Sequence, residues 1–174
     1  TAVPERGVLS ITVPGAVDGW AELLSTRGTL PLARALEPAI EYAQSGFPVS
    51  EVIAHQWKGV EGILAADRAS AETFLVDGRA PAPGQVFANP RLAATLKRVA
   101  SGGRDAFYKG PIAQAIAADL GARDGLLDAR DFAEHHADWV DPIGTSTASA
   151  RPLAPRPRSL EGVTIALLDN SKPN

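Results

Sequence analysis

Apolar positions recur at three-and-four spacing through most of this chain, and they predict a mainly α-helical body. Val17, Trp20 and Leu24 form one such stripe, stopped at Gly28. Leu32, Ala35, Leu36, Ala39, Ile40 and Ala43 form a second, opened by Pro31 and ended by Gly46. Pro38 lies inside that stripe and predicts a kink or two short helices. Ser50 is placed to cap a third helix, with Ile53, Trp57, Val60 and Leu64 on one face; Gly59 and Gly62 weaken it. Asn89-Pro90 is a cap followed by a first-turn proline, leading into Leu92, Leu96 and Val99 and stopping at Gly102-Gly103. Gly110-Pro111 opens a helix with Ile112, Ala115, Ile116 and Leu120 facing inward. Asp128 and Asp131 form a capping-box pattern leading into residues 132–139.

Two stretches depart from the helical period. Residues 8–13 (VLSITV) are apolar and β-branched between Gly7 and Pro14, which predicts a strand. Residues 77–85 (DGRAPAPGQ) have loop composition. From Gly144 the sequence GTSTASARPLAPRPR loses all hydrophobic period and reads as a linker over 144–162. Residues 163–168 (VTIALL) then predict a fresh strand, the start of a separate unit over 163–174. Leu32, Leu36, Ile40, Trp20, Trp57, Leu92, Leu96, Ile112, Ile116 and Phe132 are the predicted common core.

Composition narrows the function classes. At 174 residues, with 45% hydrophobic and 21% charged residues, the chain has the make-up of a globular domain. No apolar run reaches the ~18–20 residues that span a bilayer. A formal net charge of −3 offers no basic field for nucleic acid. Cysteine is absent, so neither disulfides nor thiolate chemistry enter. Methionine is absent too, even at position 1, and no leader precedes Val8, which predicts a processed chain or a fragment of a longer one. Compartment is left open.

Candidate chemistry is sparse. His135-His136 is the first cluster to consider, but adjacent helical side chains diverge and do not share a metal. Asp131, four residues before His135, is placed to pair with it, and His55 near Trp57 reads as a hydrogen-bonded packing residue. Gly15 and Gly19 predict close helix packing beneath Trp20. No phosphate-binding glycine loop, HExxH or GxSxG elbow occurs. The dense run Asp105, Ala106, Phe107, Tyr108, Lys109, Gly110 reads as an aromatic anchor between two helices.

Several of these stretches together resemble one family. VPGAVDGW (residues 13–20), Arg27-Gly28 with LPLARALEPAIEYAQSGFPVS (30–50), FANPRLAATLKRVASGGRDAFYKGPIAQAIAADL (87–120) and GLLDARDFAEHHADWVDPI (125–143) are similar, in order and spacing, to the large subunit of gamma-glutamyltransferases and related acylases. The resemblance covers residues 7–143. It implies an N-terminal-nucleophile hydrolase with an αββα sandwich in the complete enzyme. There a precursor cleaves itself and the threonine freed at the start of the small subunit attacks the γ-glutamyl carbonyl, its own α-amine serving as base.

That threonine falls beyond this sequence, and the large-subunit arginine that grips the donor carboxylate falls before Val13. Thr1 precedes large-subunit sequence and does not stand in for the nucleophile. No catalytic, substrate-binding, cofactor-binding or metal-ligating residue is therefore assigned to this chain.

After Ile143 the sequence departs from the family's strand and Pro-rich segment; a frame change, a fusion or divergence would each produce this. Implied partners are the small subunit of the same precursor and a γ-glutamyl substrate such as glutathione in the complete enzyme. No nucleic acid, membrane span or cofactor is implied. Many family members are periplasmic or secreted. Alternatives are an acylase subunit acting on glutaryl cephalosporins and a catalytically silent interaction module. Without its small subunit, the chain is expected to expose the stripe over 32–43 and the strand over 8–13, and either to self-associate or to need the rest of its enzyme to be well behaved.

Overall fold

The computed structural model describes residues 3–138, so the expected linker over 144–162, the strand over 163–168 and Trp139 lie outside the described residues. Helix α1 spans Ala16–Arg27, α2 Leu32–Ser45, α3 Glu51–Ala66, α4 Arg68–Phe74, α5 Pro90–Tyr108, α6 Pro111–Gly121 and α7 Ala129–Glu134. Among the described residues the one sheet is a pair of two-residue strands, β1 (Phe47–Pro48) and β2 (Val86–Phe87). They run antiparallel, with Phe47 opposite Phe87 and Pro48 opposite Val86. The helical reading of the sequence holds.

Helix starts follow local chemistry. Ser50, Asp67 and Asn89 each accept a hydrogen bond from a backbone N–H of the following turn, at Ile53, Ser70 and Leu92. Asp128 and Asp131 form a complete capping box: Asp128 accepts from the N–H groups of Arg130 and Asp131, and Asp131 accepts from that of Asp128. This occupies Asp131, which therefore does not pair with His135 as expected. The helix is also shorter than the spacing implied, because α7 ends at Glu134 and the chain turns extended at His135 (φ −59°, ψ 136°).

Two glycines decide backbone direction. Gly46 (φ 86°) turns the chain from α2 into β1, and a Cβ there would stand 2.6 Å from Val86 Cγ1. Gly103 (φ 64°, ψ −156°) breaks α5, so the predicted stop at Gly102-Gly103 appears as a kink within one helical segment. Pro38, in contrast, sits within a continuous α2. It lies on the exposed side with Arg34, whose carbonyl loses its helical donor where water can replace it.

Residues 8–13 correct the strand expectation. Val8–Ser10 form one 3-10 turn, closed by the N–H and hydroxyl of Ser10 on the Gly7 carbonyl at 3.1 and 2.8 Å. Ile11 is extended (φ −82°, ψ 133°), yet no described strand lies beside it, so pattern alone does not make a sheet.

The main core lies where α2 packs along α5, closed by α1, α6 and α7. Val17, Leu36, Leu96, Val99, Phe107, Tyr108, Ala113 and Phe132 are buried there, with Leu32, Ile40, Ile112 and Ile116 packed against them. Leu32, Leu36 and Ile40 of the 32–43 stripe are thus covered by α5 within the chain, contrary to the expectation that the stripe is left bare, while Ala35 and Ala39 stay exposed. A second cluster joins α3 to the strands: Val49, Ala54 and Phe87, with Trp57 edge-on to Phe87 at 4.8 Å. Trp57 therefore belongs to this cluster and not to the common core.

Trp20 and Leu92 are 41% and 46% exposed, and Ala115 is exposed while Ala113 takes the inward place. Bare apolar side chains lie along α3, at Val52, Ile53, Val60 and Ile63, and on the 8–13 stretch, at Leu9 and Ile11, whose expected exposure holds.

Phe132, fully buried, should cost about 3–5 kcal/mol on truncation to alanine. Leu92→Ala should cost about 1 kcal/mol or less, because exposed positions away from special features tolerate change. Urea unfolding of both variants checks the assignment; equal midpoints would contradict it.

Candidate functional site

The polar centre of the described residues is built at the start of α1. No side chain caps this helix, since Gly15 occupies the N-cap position. Its first turn nevertheless needs acceptors for orphan N–H groups. Tyr108, 90 residues away at the end of α5, supplies one: its hydroxyl accepts from the Asp18 N–H at 3.1 Å and donates to the Pro14 carbonyl at 2.6 Å. A buried tyrosine thus performs across the fold what serine or asparagine performs locally elsewhere in the chain.

Asp18 is the third residue of α1, and its carboxylate sits near the positive end of the helix dipole. Only 3% of the residue is exposed. One carboxylate oxygen accepts from Arg104 Nε, and the other accepts from the Ala137 N–H at 2.6 Å. Arg104 also donates to the His135 carbonyl, and its guanidinium lies 4.9 Å from the centre of the Tyr108 ring. The break at Gly103 is what releases the chain to run from Arg104 to Tyr108 on a new course. Four segments meet here: the Pro14 turn, α1, the last turn of α5, and the stretch after α7.

Burial works to raise the Asp18 carboxyl. Hydrogen bonds from Arg104 and Ala137, with the charge of Arg104, outweigh it and hold the group below its ordinary value. The hydrogen bond from Arg104 to Asp18 likewise raises the guanidinium against its own desolvation. Burial raises the Tyr108 hydroxyl. Near neutral pH the set is therefore one anion, one cation and one neutral phenol. None of the three titrates where a general acid or base must. The arrangement fixes charge in place and does not move protons.

The two neighbouring histidines diverge, though not from a helix. His135 stacks on Tyr108, with ring centres 5.2 Å apart, while His136 Nε2 lies 2.9 Å from Asp138 Oδ1 at the surface. His135 Nε2 is the one buried side-chain nitrogen or oxygen without a hydrogen-bond partner among the described residues, 3.8 Å from Asp18 Oδ2. Gly15 packs on His135, whereas Gly19 meets nothing, so the expected packing beneath Trp20 is instead packing beside His135. His55 is exposed and not packed; it lines an open groove of about 380 Å³ between α3 and residues 80–83. A second groove, of about 400 Å³, runs between α3 and α4 and is apolar, lined by Ile53, Trp57, Val60, Leu64 and Phe74 with Gln56. Neither groove holds a nucleophile beside a base. No group of three or more metal-ligating side chains occurs among the described residues.

Asp18 and Arg104 escaped the sequence reading. The one signal was an acidic residue in the first turn of a helix otherwise facing the core; its partner lies 86 residues on, where no local pattern points. Tyr108 was read as an aromatic anchor, and it is one, fully buried; its role as a cap was not legible.

The family model described as gamma-glutamyltranspeptidase matches residues 1–172. The match runs past Ile143, where the motif-level resemblance ends. A glutathione hydrolase-like proenzyme of Bacillus subtilis is 39% identical over 98% of this chain and 33% of its own length. Among solved structures, the gamma-glutamyltranspeptidase of Helicobacter pylori superposes with a TM-score of 0.77 at 28% identity, covering 81% of this chain and 41% of that one. A cephalosporin acylase from Bacillus halodurans gives 0.76 at 38% identity, covering 80% of this chain and 27% of that one. The chain thus spans about a third of the length of the curated relatives it matches.

Asp18→Asn should destabilise the chain by about 3 kcal/mol, the low end for breaking a buried pair, because Arg104 keeps 26% of its side chain exposed. The folded carboxyl is depressed below the ordinary 3.8. Its stabilisation is therefore complete above that value and is lost as pH falls through the lower, folded one. The gap in urea midpoint between wild type and Asp18→Asn should be constant near neutrality and close in strong acid. A gap that widens in acid would contradict this. Tyr108→Phe should cost about 1–3 kcal/mol through the stranded Asp18 N–H and Pro14 carbonyl, measured the same way.

Proposed function

Because the chain belongs to the gamma-glutamyltranspeptidase family, we propose that it forms helical large-subunit scaffold in an enzyme that transfers or hydrolyses the γ-glutamyl group of glutathione and related amides. The observation that carries this reading is the family match across residues 1–172, joined to a fold shared with a gamma-glutamyltranspeptidase. The polar network agrees with it. Asp18, Arg104 and Tyr108 are committed to one another and to backbone groups, which is what a scaffold requires and a catalytic centre does not.

In this reading the nucleophile is the threonine at the start of the small subunit, activated by its own α-amine. The attacking hydroxyl gives its proton to that amine as it bonds to the γ-glutamyl carbonyl. The amide C–N bond then breaks, the departing amine takes up that proton, and water or an acceptor amine releases the γ-glutamyl group from the acyl-enzyme. This chain's part is to hold the large-subunit face in shape. Its partner is the remainder of the same proenzyme, as the relatives are proenzymes about three times as long. Residues 1–143 form the helical body in this proposal, with 144–162 a linker and 163–174 the start of a further unit.

The acylase reading rests on one specific observation, the 38% identity to the Bacillus halodurans cephalosporin acylase, higher than the 28% to the Helicobacter pylori enzyme. Substrate choice separates the two. A precursor containing this chain, once self-cleaved, should release p-nitroaniline from its γ-glutamyl anilide faster than it releases glutarate from a glutaryl cephalosporin. The opposite order favours the acylase. The chain alone should release neither product above the uncatalysed rate, and turnover by it alone would overturn the scaffold assignment.

A further inference from the structure

The sequence contains three Asp-Gly bonds, at Asp18-Gly19, Asp77-Gly78 and Asp124-Gly125. Such a bond is chemically weak because glycine places no side chain in the way of its own amide nitrogen. That nitrogen can attack the Cγ of the preceding aspartate, closing a five-membered imide. The reaction needs a free glycine N–H, a carboxyl group not held elsewhere, and room to turn. The three sites differ sharply in all of these.

At the first, the Gly19 N–H donates to the Gly15 carbonyl at 3.0 Å within α1, and the Asp18 carboxylate is held by Arg104 and Ala137. At the third, Asp124 is left-handed (φ 60°), but the Gly125 N–H donates to the Leu120 carbonyl at 2.7 Å. The space around Gly125 is filled too, since an added Cβ would stand 2.8 Å from that same oxygen.

The middle site lacks every one of these restraints. Asp77 (φ 51°) and Gly78 (φ 77°) are the two central residues of a tight exposed turn. The turn is closed by a single bridge, in which the Val76 and Arg79 amides exchange hydrogen bonds at 2.8 and 3.0 Å. Among the described residues the Gly78 N–H has no acceptor, the Asp77 carboxylate has no partner, and nothing lies within 4 Å of an added Gly78 Cβ.

We propose that Asp77-Gly78 is a site of spontaneous isoaspartyl formation, and the one Asp-Gly bond among the three that reacts in the folded chain. The Gly78 nitrogen bonds to Cγ of the Asp77 carboxyl in its protonated form, the Cγ–OH bond breaks, and that hydroxyl leaves with the amide proton as one molecule of water. Water then adds back to the imide. Opening at the former backbone carbonyl carries the chain through Cγ, so the net change is an isomerisation without any co-reactant.

The product inserts one methylene into a turn two residues long. The Val76–Arg79 bridge cannot keep both bonds across the longer link. Two contacts lie immediately beside it: Val76 packs on the Val49, Ala54 and Phe87 cluster, and the Ala80 N–H donates to Glu61 Oε2 at 2.7 Å. The modification therefore loosens the seat of α3 while leaving the Asp18 network untouched.

Trypsin separates the three bonds into peptides 7–27, 69–79 and 124–130. The full chain is aged for weeks at neutral pH and body temperature, folded and in parallel in urea. Chromatography with electron-transfer fragmentation then distinguishes isoaspartate from aspartate in each peptide. In the folded sample isoaspartate should accumulate in 69–79 at least about tenfold faster than in the other two, which react only through local opening. In urea the three rates should converge. Asp77→Asn keeps a residue suited to the left-handed turn and should form the same imide faster, with loss of ammonia. Equal or faster reaction at Asp124 in the folded chain would overturn the proposal. So would reaction at Asp77 in urea only, since the turn would then protect the bond.

Discussion

The pairing of Asp18 with Arg104 is the constraint on which the described structure depends. It joins the first turn of α1 to the last turns of α5, and through Ala137 and the His135 carbonyl it binds the chain after α7 to both. Tyr108 lies beneath the same pair, bridging Pro14 and the Asp18 amide, with the Arg104 guanidinium over its ring. Removing water from a carboxylate costs several kcal/mol unless its oxygens are matched by donors. Here both oxygens are matched, one by a charge and one by a backbone N–H. The penalty for an imperfect fit makes the arrangement selective: few other placements of α1 against α5 would satisfy it.

This selectivity complements a core that is itself unselective. Leucine, isoleucine and valine between α2 and α5 would tolerate small slides of one helix along the other. A buried ion pair and a doubly used tyrosine hydroxyl would not. The break at Gly103 is part of the same device, since a straight α5 would continue on its first course and carry Arg104 and Tyr108 elsewhere. The pair is thus better understood as fixing geometry than as adding net stability.

How far this was legible in the sequence depends on the range of each interaction. Caps at Ser50, Asn89 and Asp128 were readable because donor and acceptor lie within three residues. The stripe on α2 was readable because its period is local, and α5 covers its Leu32, Leu36 and Ile40. The strand reading of residues 8–13 failed because a strand needs a neighbour and none of the described residues supplies one. Trp20 was misread as core because size and apolarity do not say which side of a helix meets solvent. The Asp18 network was invisible for a plainer reason: the groups that hold Asp18 stand 86 to 119 residues from it. The family resemblance rested on punctuation spread over the chain, and the family match bears it out.

Hydrogen exchange at a single amide tests the central claim most directly. The Ala137 N–H lies in an irregular stretch after α7, where fraying would ordinarily leave it unprotected, yet it donates to the buried Asp18 carboxylate. If the network holds the fold together, this amide should exchange as slowly as those of the α5 core around Val99, and it should become fast in Asp18→Asn while other loop amides do not change. Exchange of Ala137 at the rate of an open chain in the unmodified protein would contradict the account.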